Sequence, residues 1–573
     1  MAQPQQNISL AAPAFQGINT EDSPLTQDVT FASRANNAVI DDFGRLGARK
    51  GFYTYQTSFQ PGAHPTPPGW SSSNTTFQIG SMAHSEGLDV VCVATINWAN
   101  GNGTGLGQDT LLCRMVGTVL TAISHSANAE AAIQASPEDS RRAQIVAFAD
   151  SYYVFIAGQS AIEVTGAQCE LLKDTAGFLA PQDGNPGPDY LTGNDLKGDI
   201  ACSAYGRLWV SGIDGDYQKI WYSDLQDARV WYDGKAVPTD SLNTAGGIEV
   251  AQYWPGGRDQ IKAIAAHNNM LIVFGRNSIL LYGNPTGDPA AVGGIFLQDT
   301  IEGLGTVSRD AIAATGNDMV FVDDSGVRSL GRSIQEQSVA IGDLTANVRT
   351  DITRQIQETV DKADISVSYW HQEGLLVCHF SGQRQAFILD VRKLSSTGGS
   401  RVTTWTETTF DRMLHVEDDN FDAILLGGSE GVLQYSGNID AGESSYQFSY
   451  QSNPLSFGDS VRQKFPKRMD VSIISRTADT EAVARWGFDN ELVYSKTLSV
   501  EALIPAYWGE ALYATPGDPE VYKYGPGSTS VKRYRVNTKG SGALVSVGID
   551  ATITGGVFSL QELNLQLLLG RIY

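Results

Sequence analysis

The chain repeats one hydrophobic pattern along most of its length. A short apolar run is followed by a glycine-containing turn and then by a second apolar run. Runs of this kind, rich in Val, Ile, Phe and Tyr and bounded by Gly, Asn or Asp, predict the paired strands of β-hairpins. The paired runs are Tyr152–Ile156 and Ala161–Val164, Leu208–Ser211 and Ile220–Tyr222, Met270–Phe274 and Ile279–Tyr282, Met319–Val322 and Val327–Leu330, Leu375–Phe380 and Ala386–Leu389, and Ala423–Leu426 and Val432–Tyr435.

The hairpins recur at a roughly fixed interval of about 56 residues, close to the roughly 40–50 residues of a four-stranded propeller blade. We therefore expect an all-β fold built around a β-propeller of about seven blades, because radial repetition leaves only short sheet edges. A set of β-sandwiches is the competing interpretation, but it predicts closely spaced strands without a longer period. The anchor residues that define the interval are Cys92, Phe155, Val210, Phe274, Phe321, Val377 and Leu426.

Changes in the pattern divide the chain into three predicted parts. Residues 1–60 form an N-terminal arm with a hairpin that turns at Asp41–Gly44. Residues 61–440 form the propeller, and residues 441–573 form a further β-rich platform or docking domain. The final stretch Gln561–Gly570 fits either a strand or a short helix, and it needs a partner inside the domain or across an interface. The other predicted strands of the last part are Tyr446–Tyr450, Met469–Ile474, Glu481–Arg485, Val493–Leu498, Val531–Val536 and Ala543–Ile553.

Two segments have helical periodicity. Ala127–Ala135 is a short candidate that ends before Pro137. Leu344–Lys362 is the stronger candidate, because apolar residues recur there every four positions and form one stripe. We expect this helix to be an insertion between two blades, and we favour docking of its stripe on the propeller flank over docking on a neighbouring subunit. The stripe consists of Val348, Ile352, Ile356 and Val360.

Composition and charge narrow the class of protein. Hydrophobic residues make up 42% of the 573 residues, and there are 60 Gly and 21 Pro, as in a folded, turn-rich chain of more than one domain. The formal net charge of −23 argues against a basic face that grips nucleic acid or anionic lipid. An acidic wall would let DNA pass without sticking, although acidity also simply keeps a large surface soluble.

Neither a membrane span nor an export signal is expected. No apolar stretch approaches the roughly 18 residues that a membrane span needs, and the start, Met1–Gln6, lacks the basic and apolar regions of a secretory signal. The five cysteines are scattered and odd in number, which argues against a zinc site or a disulfide framework and favours a reducing compartment. They are Cys92, Cys113, Cys169, Cys202 and Cys378.

Two glycine-rich motifs have the form of catalytic or binding loops. The segment Gly427–Gly431 matches a hydrolase nucleophile elbow, and Gly101–Gly107 has the form of a phosphate cradle. Both kinds of site require a helix directly after the loop. Predicted strands follow instead, at Val432–Tyr435 and Asp109–Val116, so we interpret both motifs as hairpin turns.

Candidate ligand and catalytic residues are also present. We expect His371 and His379 to lie on one face of a single strand, with Cys378 on the other face. Carboxylates cluster at predicted turns, where Asp is a common turn residue, and the spacing of an EF-hand calcium loop is absent. We therefore predict no catalytic residues, no cofactor, no metal site and no enzymatic activity. The carboxylate clusters are Asp214 with Asp216, Asp323 with Asp324, and Glu417, Asp418, Asp419 with Asp422.

A basic cluster lies near the start of the third predicted part. We interpret it either as a solvated turn or, if exposed, as a contact for an acidic neighbour. Its members are Arg462, Lys464, Lys467 and Arg468.

The opening block carries a more specific signal. The segments Phe15–Pro24 (FQGINTEDSP) and Ala35–Gly51 (ANNAVIDDFGRLGARKG) resemble the N-terminal signature of tail tube or nozzle proteins of short-tailed bacteriophages. Over the rest of the chain the resemblance rests on architecture. The helix predicted at Leu344–Lys362 is not a feature of the signature.

The resemblance implies a structural virion protein. Such proteins form a homohexameric ring below the portal and its adaptor, and the ring axis is the channel for DNA exit. The implied partners are further copies of the chain, portal and adaptor proteins, tail fibres or other appendages, and genomic DNA that passes without specific binding. The implied location is the virion tail, and the host cytoplasm during assembly. The alternatives are a propeller-type polysaccharide-degrading enzyme and a receptor-binding adhesin of a phage tail.

Overall fold

A computed structural model describes most of the chain. The described residues are 5–11, 13–23, 26–41, 44–62, 75–99, 106–182, 195–232, 245–285, 294–336, 343–418, 421–457, 459, 461–476, 480–489, 491–500, 505–506, 523–524 and 531–570.

Seven groups of mostly antiparallel strands, the blades, follow one another along the chain. Each begins with a strand on the inside of the fold and continues outward through hairpins. From the inner strand outward, blade 1 is Thr75–Ala83, Val90–Ala99, Leu106–Val116, Val119–Ala122 and Ser58–Gln60; blade 2 is Gln144–Phe148, Ser151–Phe155, Ile162–Thr165, Gln168–Leu171 and Ser124–His125; blade 3 is Ile200–Ala204, Arg207–Ile213, Asp216–Tyr222 and Gly246–Glu249; blade 4 is Ala263–His267, Met270–Phe274, Ser278–Gly283 and Phe296–Glu302; blade 5 is Ile312–Ala314, Met319–Asp323 and Gly326–Ser329; blade 6 is Ile365–Trp370, Leu375–Phe380, Gln385–Leu394 and Ser400–Thr406; blade 7 is Phe410–Asp418, Phe421–Gly428, Gly431–Tyr435 and Phe52–Thr54.

A hydrophobic core fills each gap between neighbouring blades. Because side chains alternate along a strand, each blade supplies two cores. On the second strand of blade 1, Val91 and Val93 face blade 2, whereas Cys92 and Ala94 face blade 7. The inner strand of blade 7 also contacts that of blade 1. The blades therefore close into a ring, and the chain is an all-β protein with a seven-bladed propeller.

The ring is closed by a strand from far away in the sequence. Phe52–Thr54 forms the outer strand of blade 7 and pairs with Gly431–Tyr435. Ser58–Gln60 then crosses to the outer edge of blade 1, where it runs parallel to Val119–Ala122. The first and last blades are thus joined by backbone hydrogen bonds as well as by side-chain packing.

A β-sandwich lies beside the propeller. One of its sheets has six strands, and the other continues directly from blade 6 to make a nine-stranded sheet. The six-stranded sheet contains Gln5–Ala11, Ala38–Ile40, Leu46–Ala48, Lys464–Arg476, Val531–Asn537 and Val557–Leu569; the second contains Ala32–Asn36, Tyr446–Ser452, Thr480–Phe488, Glu491–Val500 and Val545–Ile553. Two further strand pairs are Leu179–Gln182 with Val230–Tyr232 and Pro505–Ala506 with Lys523–Tyr524.

One hydrophobic core belongs to both the propeller and the sandwich. It contains Val322 of blade 5 and Cys378 of blade 6 together with Phe448, Val471 and Leu565 of the sandwich. The strand Ala32–Asn36 lies between Ser400–Thr406 of blade 6 and Tyr446–Ser452 of the sandwich. Residues 5–60 therefore contribute strands to both parts of the molecule, where the sequence suggested a distinct arm.

Helices are few among the described residues. Ala127–Ala135 forms the helix that the sequence predicts, and Ser126 caps it by accepting a hydrogen bond from the Ala129 N–H group. None of the described helices is long and apolar enough to cross a membrane. The α-helices are Ala127–Ala135, Pro137–Arg141, Leu330–Glu336 and Arg349–Glu358; the 3-10 turns are Leu172–Asp174, Ala251–Tyr253, Ala346–Val348, Lys362–Asp364, Ser381–Gln383 and Ala441–Glu443.

The helix predicted at Leu344–Lys362 is shorter than expected. It spans Arg349–Glu358 and is preceded by a 3-10 turn. Ile352 and Ile356 are buried in the core shared with blades 5 and 6, so the stripe docks on this chain. Val360 was wrongly assigned to the stripe: the backbone leaves the helical conformation at Thr359, and Val360 is 100% exposed.

The final stretch, for which the sequence left two possibilities, is the strand Val557–Leu569. It lies between Gln5–Ala11 and Lys464–Arg476 in the six-stranded sheet. Its apolar residues are buried by this arrangement, including Leu563, Leu565 and Leu567. The partner that its apolar edge requires is thus inside the chain.

Candidate functional site

The opening block forms the junction between propeller and sandwich. Arg49 is 1% exposed and makes a bidentate ion pair with Asp440, with both N–O distances at 2.7 Å. Its guanidinium lies 3.8 Å from the ring centre of Phe52 in blade 7 and 4.0 Å from that of Tyr446 in the sandwich. A planar, permanently charged group suits this role, because it can pair with a carboxylate and stack on two rings at once.

Asn37 extends this junction into a third element. Its amide nitrogen donates to the Gln447 carbonyl at 2.8 Å, and its side-chain oxygen accepts from the Thr406 N–H at 3.1 Å and from Arg49 Nε at 3.2 Å. The backbone of Asn37 has φ of 50°, a conformation that asparagine tolerates better than most residues. One side chain therefore ties blade 6, the sandwich and the buried arginine together.

Two glycines of the block allow close backbone approach. A Cβ atom on Gly51 would lie 1.9 Å from the Ile439 carbonyl oxygen, and one on Gly17 would lie 2.5 Å from the Val402 nitrogen. Gly17 also has φ of +83°, which L residues rarely adopt. Of the residues that carry the sequence resemblance, Gly17, Asn37, Arg49 and Gly51 are thus buried in tightly packed contacts.

A second polar network connects the blades at the centre of the propeller, which we call the hub. Arg309 donates to the Asp199 carbonyl at 2.6 Å and to the Arg142 carbonyl. Arg412 contacts Asp310 Oδ2 at 3.1 Å. These residues stand at the starts of blades 2, 3, 5 and 7. Because the network reaches across the hub, it resists sliding of one blade against another.

The hub contains a partly buried carboxylate whose ionised form is stabilised by arginines. Burial alone would raise the pKa of Asp310, but the Arg309 and Arg412 guanidiniums outweigh it and lower the pKa below the ordinary value. Asp361 behaves similarly, because hydrogen bonding from the Ala363 N–H and the ion pair with Arg142 lower its pKa. These acids serve as partners of arginine in the hub.

A cavity of about 900 Å³ lies next to this network. Lys262, Arg276 and Lys362 line it together with Asp259 and Asp361. Asp259 accepts hydrogen bonds from three backbone N–H groups at 2.8 Å, which fix the adjoining loops. Asp361 pairs with Arg142, so both lining carboxylates hold the surrounding structure.

One of the two glycine motifs lies in a hairpin turn, as the sequence predicts. Gly427–Gly431 spans the turn between Phe421–Gly428 and Gly431–Tyr435 of blade 7. Residues 101–105 of the other motif lie outside the described residues, and the chain continues as the strand Leu106–Val116. Each loop is followed by a strand, so neither provides the helix N-terminus that its chemistry requires.

The histidine prediction was wrong in one respect. His371 lies in the turn after Ile365–Trp370, whereas His379 lies inside the next strand, because the chain reverses between them. His379 is buried, stacks on Phe410 with ring centres 4.4 Å apart, and contacts Thr408 Oγ1 at 2.9 Å. Cys378 is buried in the core shared with the sandwich.

The carboxylate clusters lie at turns and strand ends. Asp323 accepts from the Ser325 N–H at 2.7 Å, and Asp324 pairs with Arg276. Asp216 accepts from the Gln218 N–H at 2.9 Å. In the third cluster, Asp422 contacts a ring nitrogen of His415, while Asp419 lies outside the described residues.

Most members of the basic cluster bind carbonyl or carboxylate groups of the same chain. Lys464 is buried and donates to the Arg462 carbonyl at 3.0 Å. Arg462 pairs with Asp459, and Arg468 pairs with Asp470. Lys467 is the exposed member, so the contact with an acidic neighbour stays a prediction.

Comparisons with known proteins find only solved structures of low similarity. Neither a protein-family profile nor a curated protein matches the chain. Among solved structures, YCF48 bound to D1 peptide is similar at 9% identity and a TM-score of 0.32, over 66% of this chain and 98% of the other. The WD40 domain of Neurospora crassa Pan2 is similar at 9% identity and a TM-score of 0.34, over 69% and 96%.

A putative exported protein from Bacteroides fragilis is also similar, at 8% identity and a TM-score of 0.25, over 49% of this chain and 78% of the other. Scores of this size carry no argument about function. The assignment of the propeller rests on the order of the sheets and the seven cores between them.

Proposed function

We propose that this chain is a structural virion protein that forms the ring-shaped tail nozzle of a short-tailed bacteriophage. The observation that carries the proposal is the place of the signature-like opening block: its residues Asn37, Arg49 and Gly51 form the joint between propeller and sandwich. A block that serves as a joint suits a protein whose function is its shape.

The rigid connection between propeller and sandwich supports this proposal. The propeller and the sandwich share one core, and one nine-stranded sheet runs through both. A subunit of a ring must hold its two contact surfaces at a fixed angle, because small deviations in that angle accumulate around the ring. Fused modules of this kind meet that requirement better than domains joined by a flexible linker.

The proposed partners follow from this role. Copies of the chain would form a homohexameric ring below the portal and adaptor, and the sandwich would offer a platform for the adaptor or for tail appendages. Genomic DNA would pass through the ring axis, and the net charge of −23 would disfavour adhesion of the polyanion. The location would be the virion tail, after assembly in the host cytoplasm.

Electron microscopy of the tag-free full chain tests the proposal. The chain is imaged alone and after mixing with the portal–adaptor complex of the phage proposed to encode it. We expect hollow rings in at least the second sample, with the propellers arranged around the axis. Mass spectrometry of purified virions is expected to find the chain in stoichiometric amount with the adaptor.

Two other outcomes would overturn the proposal. Release of reducing sugar from host capsule or lipopolysaccharide, absent in a heat-denatured sample, would indicate a polysaccharide-degrading enzyme. A chain that forms no ring in either sample, but coats host cells as a free monomer, would indicate an adhesin.

A further inference from the structure

Two histidines and a carboxylate from neighbouring blades converge on one face of the propeller. His371 lies in the first turn of blade 6, and His415 and Glu417 lie on the inner strand of blade 7. One ligand atom from each residue lies within 4.8 Å of the other two. The rings of His371 and His415 have centres 4.8 Å apart and meet edge to face.

The strand geometry explains why blade 7 supplies two of these groups. His415 and Glu417 are two residues apart, so their side chains leave the strand on the same side. The adjacent strand of the same hairpin supplies Asp422, whose Oδ1 lies 3.0 Å from a ring nitrogen of His415. Asp422 also accepts a hydrogen bond from the Gln372 amide, which belongs to the blade 6 turn.

This arrangement is that of a metal ligand with its supporting residue. Histidines that bind metals commonly use the second ring nitrogen to contact a carboxylate, which orients the ring. Asp422 is placed to do this for His415. The anchoring of Asp422 by Gln372 further fixes the two blades relative to each other at this point.

We propose that His371, His415 and Glu417 bind one divalent transition-metal ion of the zinc class. Two imidazoles with one carboxylate suit zinc and its neighbours, whereas calcium and magnesium prefer oxygen ligands throughout. The inference does not depend on the proposed function.

The distances fit a site that tightens on binding. Tetrahedral zinc with bonds of roughly 2.0–2.1 Å holds its ligand atoms about 3.4 Å apart, so the three groups must approach by about 1.5 Å or less. His371 and Glu417 are exposed and can move by rotation of their side chains. The bound ion would then join the blade 6 turn to the blade 7 hairpin and leave a coordination position toward solvent.

Calorimetric titration of the tag-free full chain with Zn²⁺ tests the site. We expect one ion per chain, and we expect His371→Ala and Glu417→Gln each to weaken binding by about tenfold or more. Asp422→Asn, which removes only the supporting charge, is expected to weaken it by about 10–100-fold. Titration with Co²⁺ should give visible absorption bands of a tetrahedral site that are lost in His371→Ala.

His267→Ala is the matched control. His267 ends the inner strand of blade 4, the position that precedes the corresponding first turn of that blade. We expect this variant to bind Zn²⁺ as the wild type does. Circular dichroism establishes that each variant is folded, and since His371 is exposed its removal leaves the core intact.

Absence of saturable binding to the wild type would overturn the inference. So would wild-type affinity in both His371→Ala and Glu417→Gln, or an equal loss in His267→Ala. Thermal unfolding provides a second readout, because a ligand that binds only the folded chain raises the melting temperature. A zinc-induced increase that persists unchanged in His371→Ala would also contradict the site.

Discussion

At the scale of single residues, buried polar side chains join segments that are distant in the sequence. Arg49 reaches Asp440, and Arg309 reaches the carbonyls of Arg142 and Asp199. Apolar packing alone tolerates many arrangements of two modules, whereas a bidentate ion pair with two stacked rings has few. These arginines thus favour one relative placement of the parts that they connect.

Replacement of Arg49 tests the strength of the junction. Arg49→Met removes the charge but keeps an apolar stem, and it leaves Asp440 without its partner. We expect the free energy of unfolding to fall by about 3–5 kcal/mol, because breaking a buried pair leaves an uncompensated charge. Urea denaturation followed by tryptophan fluorescence measures the change.

The matched control for this change is Arg354→Met. Arg354 is 58% exposed and pairs with Asp351 on the surface of a helix, so we expect a loss of about 1 kcal/mol or less. An equal effect of the two substitutions would show that the buried pair contributes no more than a surface pair.

His379 makes stability depend on pH. Burial, with a smaller contribution from Arg412, lowers the pKa of its imidazole to about 3, while the unfolded chain has the ordinary value of about 6.5. As pH falls below 6.5, the unfolded state binds a proton that the folded state does not. We therefore expect His379 to reduce stability by about 2 kcal/mol between pH 7 and pH 5.

The measurement compares the wild type with His379→Gln at both pH values. Gln keeps a polar group near Thr408 but does not titrate, so this part of the pH dependence should vanish. His267→Gln is expected to keep it. If the wild type and His379→Gln lose the same free energy on acidification, then His379 is protonated in the folded state.

The residues that contact distant segments could be identified only in part from the sequence. The opening block stands out as a motif, but its partners do not, because Arg49 and Asp440 lie 391 positions apart and neither neighbourhood has a periodic pattern. The sequence likewise did not indicate that His415 lies beside His371, because the two histidines belong to different blades. Contacts between blades depend on the closed ring, which no local pattern contains.

At the scale of elements, strands were easier to predict than helices. Each of the seven anchors lies in the second strand of a different blade, where residues face cores on both sides. The inner strands were harder to recognise in the sequence. Ile312–Ala314, for example, is short, and its residues are partly buried or exposed. The second strands therefore carry long apolar runs, and these runs produced the repeated pattern.

The helix Arg349–Glu358 shows where a periodic pattern fails. Spacing of four residues continues to Val360, but the helix ends at Glu358 and the chain turns toward the hub. Periodicity records which residues could share a face, whereas the end of a helix depends on local backbone contacts. Here the Thr359 N–H still bonds to the Gln355 carbonyl, and the next residues form another turn.

Two alanine substitutions compare the contributions of a buried and an exposed residue of the predicted stripe to stability. Ile352 is 0% exposed, so Ile352→Ala is expected to lower the free energy of unfolding by about 2–5 kcal/mol through lost burial and a cavity. Val360→Ala should change it by less than about 0.5 kcal/mol. Denaturant melts measure both, and a comparable loss in Val360→Ala would place that residue in the core after all.

At the scale of the whole molecule, the shared core makes propeller and sandwich one unit of stability. We expect scanning calorimetry of the wild type to show a single unfolding transition, since neither part has a complete core without the other. Arg49→Met and Arg354→Met both leave this core in place, so each variant should retain one transition, with the lower melting temperature in Arg49→Met. Two well-separated transitions in the wild type would contradict this view.

The strand Gln5–Ala11 pairs along its length with Val557–Leu569, and Phe52–Thr54 pairs with Gly431–Tyr435. During synthesis, each of these early strands leaves the ribosome hundreds of residues before its partner. Earlier blades can stack as an open arc, but the edges of Gln5–Ala11 and Phe52–Thr54 stay unpaired until their partner strands have been made. An interrupted product would therefore expose strand edges, which favour aggregation and degradation. The fold thereby distinguishes chains that contain both members of each strand pair from chains interrupted before the second member.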